Sequence, residues 1–557
     1  MSSFEPQDRN YSAWKFTDGD VDIDGFDPIR DKMLVGDTIC ANTIEYTSRY
    51  RSMQSIPGIL VFNGNTYGRR GDRVLYKCVP NDRQLPSFLI PYTQKGTTFN
   101  KSKVNKFVLF KFVEWTGKHP IGMITNTLGD VSELSIFYSY QLHCKEIHIP
   151  IQRFTKATNV AIRKWEADIN SNESNRFGNM EDRTQIECIT IDPVGSIDFD
   201  DALSITKLSD GGCILSVYIS NVAARLNELN LWEHLTRRVA TIYLPDSKRP
   251  MLPPSLSDNL CSLLEGEKRY VVAMDVKLSP EHKVMSVNFV NCVIRVVKNY
   301  VYEESELLSN ASYQDISKVV KSLSLHISYV EEINDSHDVV AFCMIMMNHR
   351  VGNILKKANC GIFRGVSILN EQKRQDVPSD IKQIVRLWRN TKGDYETFEK
   401  HEGHHLIGGG LDAYAQVTSP IRRIVDLINI IELQVINGSI EQSYSMIAFV
   451  NGWMEKIGEI NKAMKSISKV QNDCKLIERC MTCKKESYAG YCIESNNTEQ
   501  NSSKFNWKHI IHIPKLALTT SLDSNEEMLL YGQYKFTLHL FVDEATLKQK
   551  VRIQLFD

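Results

Sequence analysis

Four aspartates stand within ten residues of the stretch TIDPVGSIDFDDALS, at Asp192, Asp198, Asp200 and Asp201. Like charges this close repel one another, so the cluster calls for a chemical reason. A turn of solvated carboxylates is the plainest one. A calcium loop of the EF-hand type needs acids at positions 1, 3 and 5 and a glycine at 6. Counted from Asp198, that frame meets Ala202 and Leu203 instead, and it fails. The third possibility is a divalent-metal site for phosphate chemistry. Mg²⁺ accepts a few carboxylate oxygens and takes its other ligands from water and substrate phosphate. Two such ions about 3.5–4 Å apart can activate a water and steady a leaving oxygen. If residues 198–200 are extended, Asp198 and Asp200 share a face, while Asp201 points elsewhere unless the chain bends.

A distant segment bears on the choice. VTSPIRRIVDLIN reads as a helix start with Ser419 as N-cap and Pro420 at the first helical position. Arg422 and Arg423 then fall in the first turn, where the helix dipole disfavours cations. An anion at that place, most simply a phosphate, would account for them. The plainer alternative is that Asp426 pairs with one of them, a contact worth only about 0.2–0.5 kcal/mol on a helix surface. Carboxylates joined to arginines at a helix start are what metal-assisted phosphodiester cleavage requires.

Other motifs compete. HEGHHLIGGG, from His401, fits the zinc-protease pattern H-E-x-x-H, which needs a helix with both histidines on one face. Gly403 and the run Gly408, Gly409, Gly410 argue against that helix. DVDIDG puts Asp20, Asp22, Asp24 and Gly25 in a formal EF-hand frame, but its flanks read as strand and turn. Cys480 and Cys483, with Cys474 and Cys492 nearby, fit no standard zinc spacing. The segment from Lys95 to Lys118 interleaves Lys101, Lys103, Lys106 and Lys111 with Phe99, Phe107, Phe110, Phe112 and Trp115. That pattern suits a strand-tracking surface, and equally a barrel core with a solvated face.

The elements that must carry these residues follow from periodicity. Up to about residue 165, short alternating runs such as GILVF, GDRVLYKCV and NKFVLFKFVEW, punctuated by turn residues, predict small β-barrels of oligonucleotide-binding type. We place them at 15–80 and 81–165. A catalytic domain is expected at 180–485, with long helices over SHDVVAFCMIMMNHRVGNILKKAN and SPIRRIVDLINIIELQVING, the second closed by Asn437 and Gly438. A small degenerate barrel is expected at 486–557. The fold class is therefore α+β multidomain: N-terminal OB-type barrels, a central α/β domain and a C-terminal OB-like barrel. With 557 residues and 42% hydrophobic content, sizeable cores can form. The 66 basic and 67 acidic residues nearly cancel, so a nucleic acid must be met by a local patch. The 13 cysteines are scattered and odd in number, which suits a reducing compartment. A soluble intracellular protein is expected, cytoplasmic rather than nuclear and without a membrane partner.

The chain resembles the RNB-domain exoribonucleases, the ribonuclease II/R family, and is nearer the branch of the exosome catalytic subunit. The signature TIDP-x-x-A-x-D-x-D-D-A is matched from Thr190 to Ala202, with Ser196 in place of the alanine. ATIYLPDSKRPMLPPSLSDNLCSLLEGEKR and GLDAYAQVTSPIRRIVDL resemble two further family segments in the same order. The resemblance implies processive 3′→5′ hydrolysis of single-stranded RNA to nucleoside 5′-monophosphates. It implies Mg²⁺, two ions in the catalytic state, with Mn²⁺ as the alternative ion. Asp192, Asp198, Asp200 and Asp201 match the family's metal carboxylates, Asp200 the residue on which turnover chiefly depends, and Arg422 the arginine that stabilises transition-state charge. Tyr243 matches the aromatic that stacks on the terminal base. Arg423, Arg364, Lys106 and Lys111 join it as candidate RNA contacts. The partner implied is single-stranded RNA, met by a monomer or by a subunit of an RNA-decay complex. Departures stand at Asn221, Gln416, Ile430 and Ile431, and a usual helical glutamate falls near Gln471 or Asp473. They leave a second reading, an RNB-fold RNA-binding scaffold with impaired turnover.

Overall fold

The computed structural model describes residues 2–17, 26–40, 43–93, 104–170, 180–330, 332–366, 377–378, 381–382, 384–385, 388, 393–404, 410–482, 487–498 and 505–556. The acidic run at 20–25, Lys95, Phe99, Lys101, Lys103, His405, Gly408, Gly409 and Cys483 lie outside them. The chain divides into two compact units, each described by itself: Met1–His148 with Leu244–Asp246 and Ser468–Asp557, and Ile149–Tyr243 with Ser247–Ile467.

In the first unit the strands Ile56–Leu60, Arg73–Pro80, Phe88–Tyr92, Lys106–Glu114 and Ile121–Asp130 form a closed barrel. Ile56–Leu60 pairs with both Arg73–Pro80 and Lys106–Glu114, which closes it. Phe88–Tyr92 and Ile121–Asp130 run parallel, giving the strand order 1-2-3-5-4 of an OB barrel. The expected boundary at 80/81 falls inside this barrel, because the ladders of Ile56–Leu60 with Lys106–Glu114 and of Arg73–Pro80 with Phe88–Tyr92 cross it. Before it lies a four-stranded sheet of short strands, from Ser2–Pro6 to Thr43–Glu45. After it come helices Leu134–Cys144 and Gln152–Asn170, the second belonging to the other unit. The interleaved aromatics of the lysine-rich segment are mostly core: Phe107, Phe110 and Trp115 are buried. At the C-terminus five antiparallel strands, Tyr488–Asn497 to Gln549–Leu555, make a third sheet around Ile511, Ile513 and Phe536.

The second unit is built on another closed barrel. Cys188–Asp192, Asp201–Lys207, Cys213–Ser220 and Lys268–Leu278 are neighbours in that order. The long strand Val284–Val301 closes the ring by pairing with Lys268–Leu278 over its first part and with Cys188–Asp192 over its last. Closure leaves these strands no bare edge. Alternation sends side chains to two faces. Cys188, Ala202, Tyr218, Val271 and Ala273 pack together on one face. Ile189, Leu203, Val217 and Ile219 pack on the other against Phe342, Cys343 and Met346 of the helix Ser336–Lys357. The helix Ile424–Ile436 is capped by Asn437 and Gly438, whose φ is +61°, as expected.

The same helix starts later than its sequence implies. It begins at Ile424 with Arg423 as N-cap, and residues 420–422 form a turn. Ser419 is not the cap, because Arg423 is drawn into a bridge with Ala240 and the Arg422 carbonyl accepts from the Thr241 amide. Among the described residues no helix is long and apolar enough to cross a membrane, and no disulfide joins the described cysteines.

Candidate active site

The aspartates gather at one end of the second barrel because of where its strands stop and start. Asp192 ends Cys188–Asp192, Asp201 opens Asp201–Lys207, and Asp198 and Asp200 lie on the loop between. That loop is tied down by the LCSL part of the sequence. Ser262 Oγ accepts from the Phe199 amide at 3.0 Å and donates to the Ile197 carbonyl at 2.9 Å. The Asp200 carbonyl accepts from the Ser220 amide at 2.8 Å.

Asp200 is 2% exposed. Its Oδ1 accepts from the Ile421 amide at 2.9 Å, and its Oδ2 accepts from Arg422 Nε at 3.0 Å. One carboxylate thus fixes both the SPIRR turn and the guanidinium plane beside the cluster. Asp426 takes Arg423 instead, at 2.7 Å, and also accepts from the Ser419 amide. The two arginines therefore divide: Arg423 has the local pairing partner, while Arg422 reaches 222 residues along the chain to Asp200. The Arg422 side chain stays 45% exposed, and Asp200 uses only its Nε, which leaves donors for a phosphate.

Asp201 sits with Asp192, so the chain does bend. Burial pushes the Asp192 carboxyl well above the usual range, and the nearby Asp201 charge adds to it, while Arg422 opposes them. Burial raises Asp201 as well. Asp200 is pushed up to about 7 by burial, against the pull of Arg422. Asp198 faces another way. Its Oδ2 accepts from Tyr243 Oη at 3.1 Å and its Oδ1 meets Lys248 Nζ at 3.1 Å. Lys248 also reaches Asp258 at 2.8 Å. Tyr243 and Lys248 are opposite one another in a two-stranded hairpin, and the tyrosine remains 45% exposed.

Sequence reading missed Lys248, Asp258 and Tyr302. Lys248 could have been found by folding YLPDSK into a hairpin, which sets it opposite Tyr243. Tyr302 follows the long closing strand; its amide donates to the Asp192 carbonyl and its ring stacks on His337 at 3.7 Å. Burial and the charges of Asp201 and Asp192 raise its phenol.

The donor set fits a hard divalent ion, since it is carboxylate oxygen throughout. Asp192 Oδ2 is buried without a hydrogen-bond partner, an arrangement that costs free energy until something binds there. Among the described residues no three histidine, cysteine or acidic side chains already surround a common point, and Arg422 and Lys248 each hold one of the carboxylates.

The departures have structural partners. Asn221 caps the helix Val222–Glu228 by accepting from the Ala224 amide at 3.0 Å. Gln416 accepts from Tyr395 Oη at 2.6 Å, and the Arg364 guanidinium lies 5.2 Å from that tyrosine's ring centre. Ile430 and Ile431 are buried. In the first unit Lys106 is paired with Asp130 at 2.5 Å, and Lys111 is half-buried on the same strand. The protease motif does not hold together: 401–404 is not helical, His401 Nδ1 pairs with Glu396 at 2.6 Å, and its Nε2 faces the Tyr414 amide.

Residues 180–333 match the RNB domain. Ribonuclease R of Thermotoga maritima is 26% identical over 242 residues, 42% of this chain and 32% of that protein. The match thus spans about a third of that relative's length. Mycoplasma genitalium RNase R, solved in complex with double-stranded RNA, has the same fold, with a TM-score of 0.63 at 16% identity, covering 94% of this chain and 98% of that one. Yeast Ssd1, a pseudonuclease, shares the fold with a TM-score of 0.53 at 14% identity, over 87% of this chain and 68% of its own. Residues 180–333 form an RNB domain, which places this chain among the relatives of ribonuclease R and exoribonuclease 2.

Proposed function

We propose that the chain is a Mg²⁺-dependent processive 3′→5′ exoribonuclease that degrades single-stranded RNA to nucleoside 5′-monophosphates. The observation that carries this reading is Arg422, oriented by Asp200 beside buried carboxylates and still exposed to a ligand. A 5′-monophosphate product requires water to attack phosphorus while the P–O3′ bond to the preceding nucleotide breaks and that oxygen takes up a proton. Asp192 and Asp201, with Asp200 and Asp198 beside them, would hold the divalent ion, which supplies a nucleophile at neutral pH and neutralises phosphate charge. Arg422 meets the charge that grows on the non-bridging oxygens, and its orientation is set before substrate arrives, so no reorganisation is needed during reaction. Tyr243 offers a ring face to the terminal base, and its hydroxyl is anchored on Asp198. Stacking of that kind accepts any base. Arg423, Arg364, Lys106 and Lys111 remain candidate RNA contacts; the first three already have protein partners that a phosphate would have to share. Assembly with an RNA-decay complex belongs to the same proposal.

One observation favours a second reading, an RNA-binding scaffold without turnover: Asp198 and Asp200 are both ion-paired to side chains of the protein itself. 5′-labelled single-stranded RNA with Mg²⁺ separates the two. Loss of label into progressively shorter RNA, with 5′-mononucleotides released and EDTA stopping the decay, supports the enzyme. Bound but intact RNA supports the scaffold.

A further inference from the structure

The aspartate cluster contains its own ammonium. Lys248 is not a surface side chain that happens to swing inward. Its side chain is 17% exposed, and its Nζ lies 3.1 Å from Asp198 and 2.8 Å from Asp258. Its backbone is registered opposite Tyr243, whose hydroxyl donates to the other oxygen of Asp198 at 3.1 Å. Both Asp198 oxygens are therefore used by the protein, one by a cation and one by a phenol. Asp200 is likewise used on both oxygens, by Arg422 and by the Ile421 amide. Among the described residues, the carboxylates of the cluster left without a protein cation are Asp192 and Asp201, and Asp192 Oδ2 is buried with no hydrogen-bond partner.

Charge balance gives the pattern a meaning. Arg422 serves Asp200, and Lys248 serves Asp198 together with Asp258 outside the cluster, so Asp192 and Asp201 are the two clustered aspartates left for a divalent cation. We propose that Lys248 stands in for one of the two ions that the family resemblance implies: the cluster takes a single Mg²⁺ or Mn²⁺ at Asp192 and Asp201, and the tethered ammonium supplies the positive charge at Asp198. This rests on the reading of the cluster as a metal site. A second ion at Asp198 would have to evict an ammonium shared with Asp258 and leave Asp258 without its cation, which is costly for a partly buried acid. Lysine is suited to the place because it is a compact point charge that can serve two carboxylates at once. Mg²⁺ is suited to the other place because one or two carboxylates with several waters satisfy it.

Counting bound Mn²⁺ on the full chain tests this, by titration calorimetry and by the electron paramagnetic resonance signal of the free ion. Wild type and Lys248→Arg are expected to bind one ion per chain. Lys248→Met is expected to bind two at the same Mn²⁺ concentration, and Asp192→Asn to lose the one. Two ions in the wild type, or one in a folded Lys248→Met, would overturn the role of Lys248 while leaving the metal site standing. No ion in any of these proteins would overturn both.

Discussion

Asp192, Asp200 and Asp201 show what it costs to keep acids together. Their carboxyls hold protons more tightly in the fold than in the unfolded chain, because burial disfavours ionisation in all three and neighbouring carboxylate charge adds to it at Asp192 and Asp200. A carboxyl raised in this way makes the metal-free fold less stable as pH rises through its folded pKa, which for Asp200 is about 7. Metal-free protein is therefore expected to lose melting temperature between about pH 5 and 8, with Mg²⁺ restoring it. Asp192→Asn should flatten that fall and stabilise the metal-free protein at the upper end by about 1–3 kcal/mol, while weakening metal binding. Thermal melts in EDTA and in Mg²⁺ across that range check both signs. Tyr243→Ala should weaken single-stranded RNA binding by about 1–3 kcal/mol, read by fluorescence anisotropy, with Tyr243→Phe close to wild type. The aspartates and Arg422 were legible because they lie in contiguous runs with a chemical logic. Lys248 was not, because its role exists only once a hairpin sets it across from Tyr243.

The elements explain why the same residues converge. The turn at 419–423 is held by Asp200 on one side and by the 239–241 backbone on the other, so the chain that presents Arg422 also abuts the strand that ends in Tyr243. Periodicity gave the two long helices, but not the late start at Ile424. Capping rules weigh Ser419 and Pro420 locally, whereas the bridge to Ala240 is a contact made far along the chain. The OB barrel repeats this lesson, since its closing pair joins Ile56–Leu60 to Lys106–Glu114 across three intervening strands. A further test lies in the helix Ser336–Lys357. A Cβ on Gly352 would stand 3.0 Å from the Ala415 amide nitrogen and 3.2 Å from the Ala413 carbonyl, both backbone atoms with little room to yield. Gly352→Ala should destabilise by about 1–3 kcal/mol, seen as a lower urea midpoint with an unchanged m-value.

For the whole molecule, the notable feature is that the first unit is discontinuous in sequence. Arg9 donates to the Ala545 carbonyl at 3.2 Å and Arg83 pairs with Asp543 at 2.7 Å, so the two ends of the chain share one compact body. Composition alone shows no such closure, and four successive modules were the natural expectation. Asp543, gripped by Lys550, Thr546 and Arg83, is held well below the usual carboxylate range despite its burial. A depressed carboxyl contributes stability that is present above its unfolded value near 3.8 and is lost as pH falls toward the folded one. Asp543→Asn should therefore lower the melting temperature at neutral pH, and the difference should shrink in acid below about pH 3.

The central claim is that the RNB carboxylates and Arg422 cleave RNA rather than merely hold it. The most direct test is single-turnover decay of 5′-labelled single-stranded RNA in Mg²⁺ by the wild type and by Asp200→Asn, with binding of the same RNA measured alongside. The account predicts rapid 3′-end decay by the wild type, a loss of at least about a hundredfold in the variant, and RNA affinity within a few-fold for both. Equal decay by the two proteins, or intact RNA with both despite binding, would contradict it.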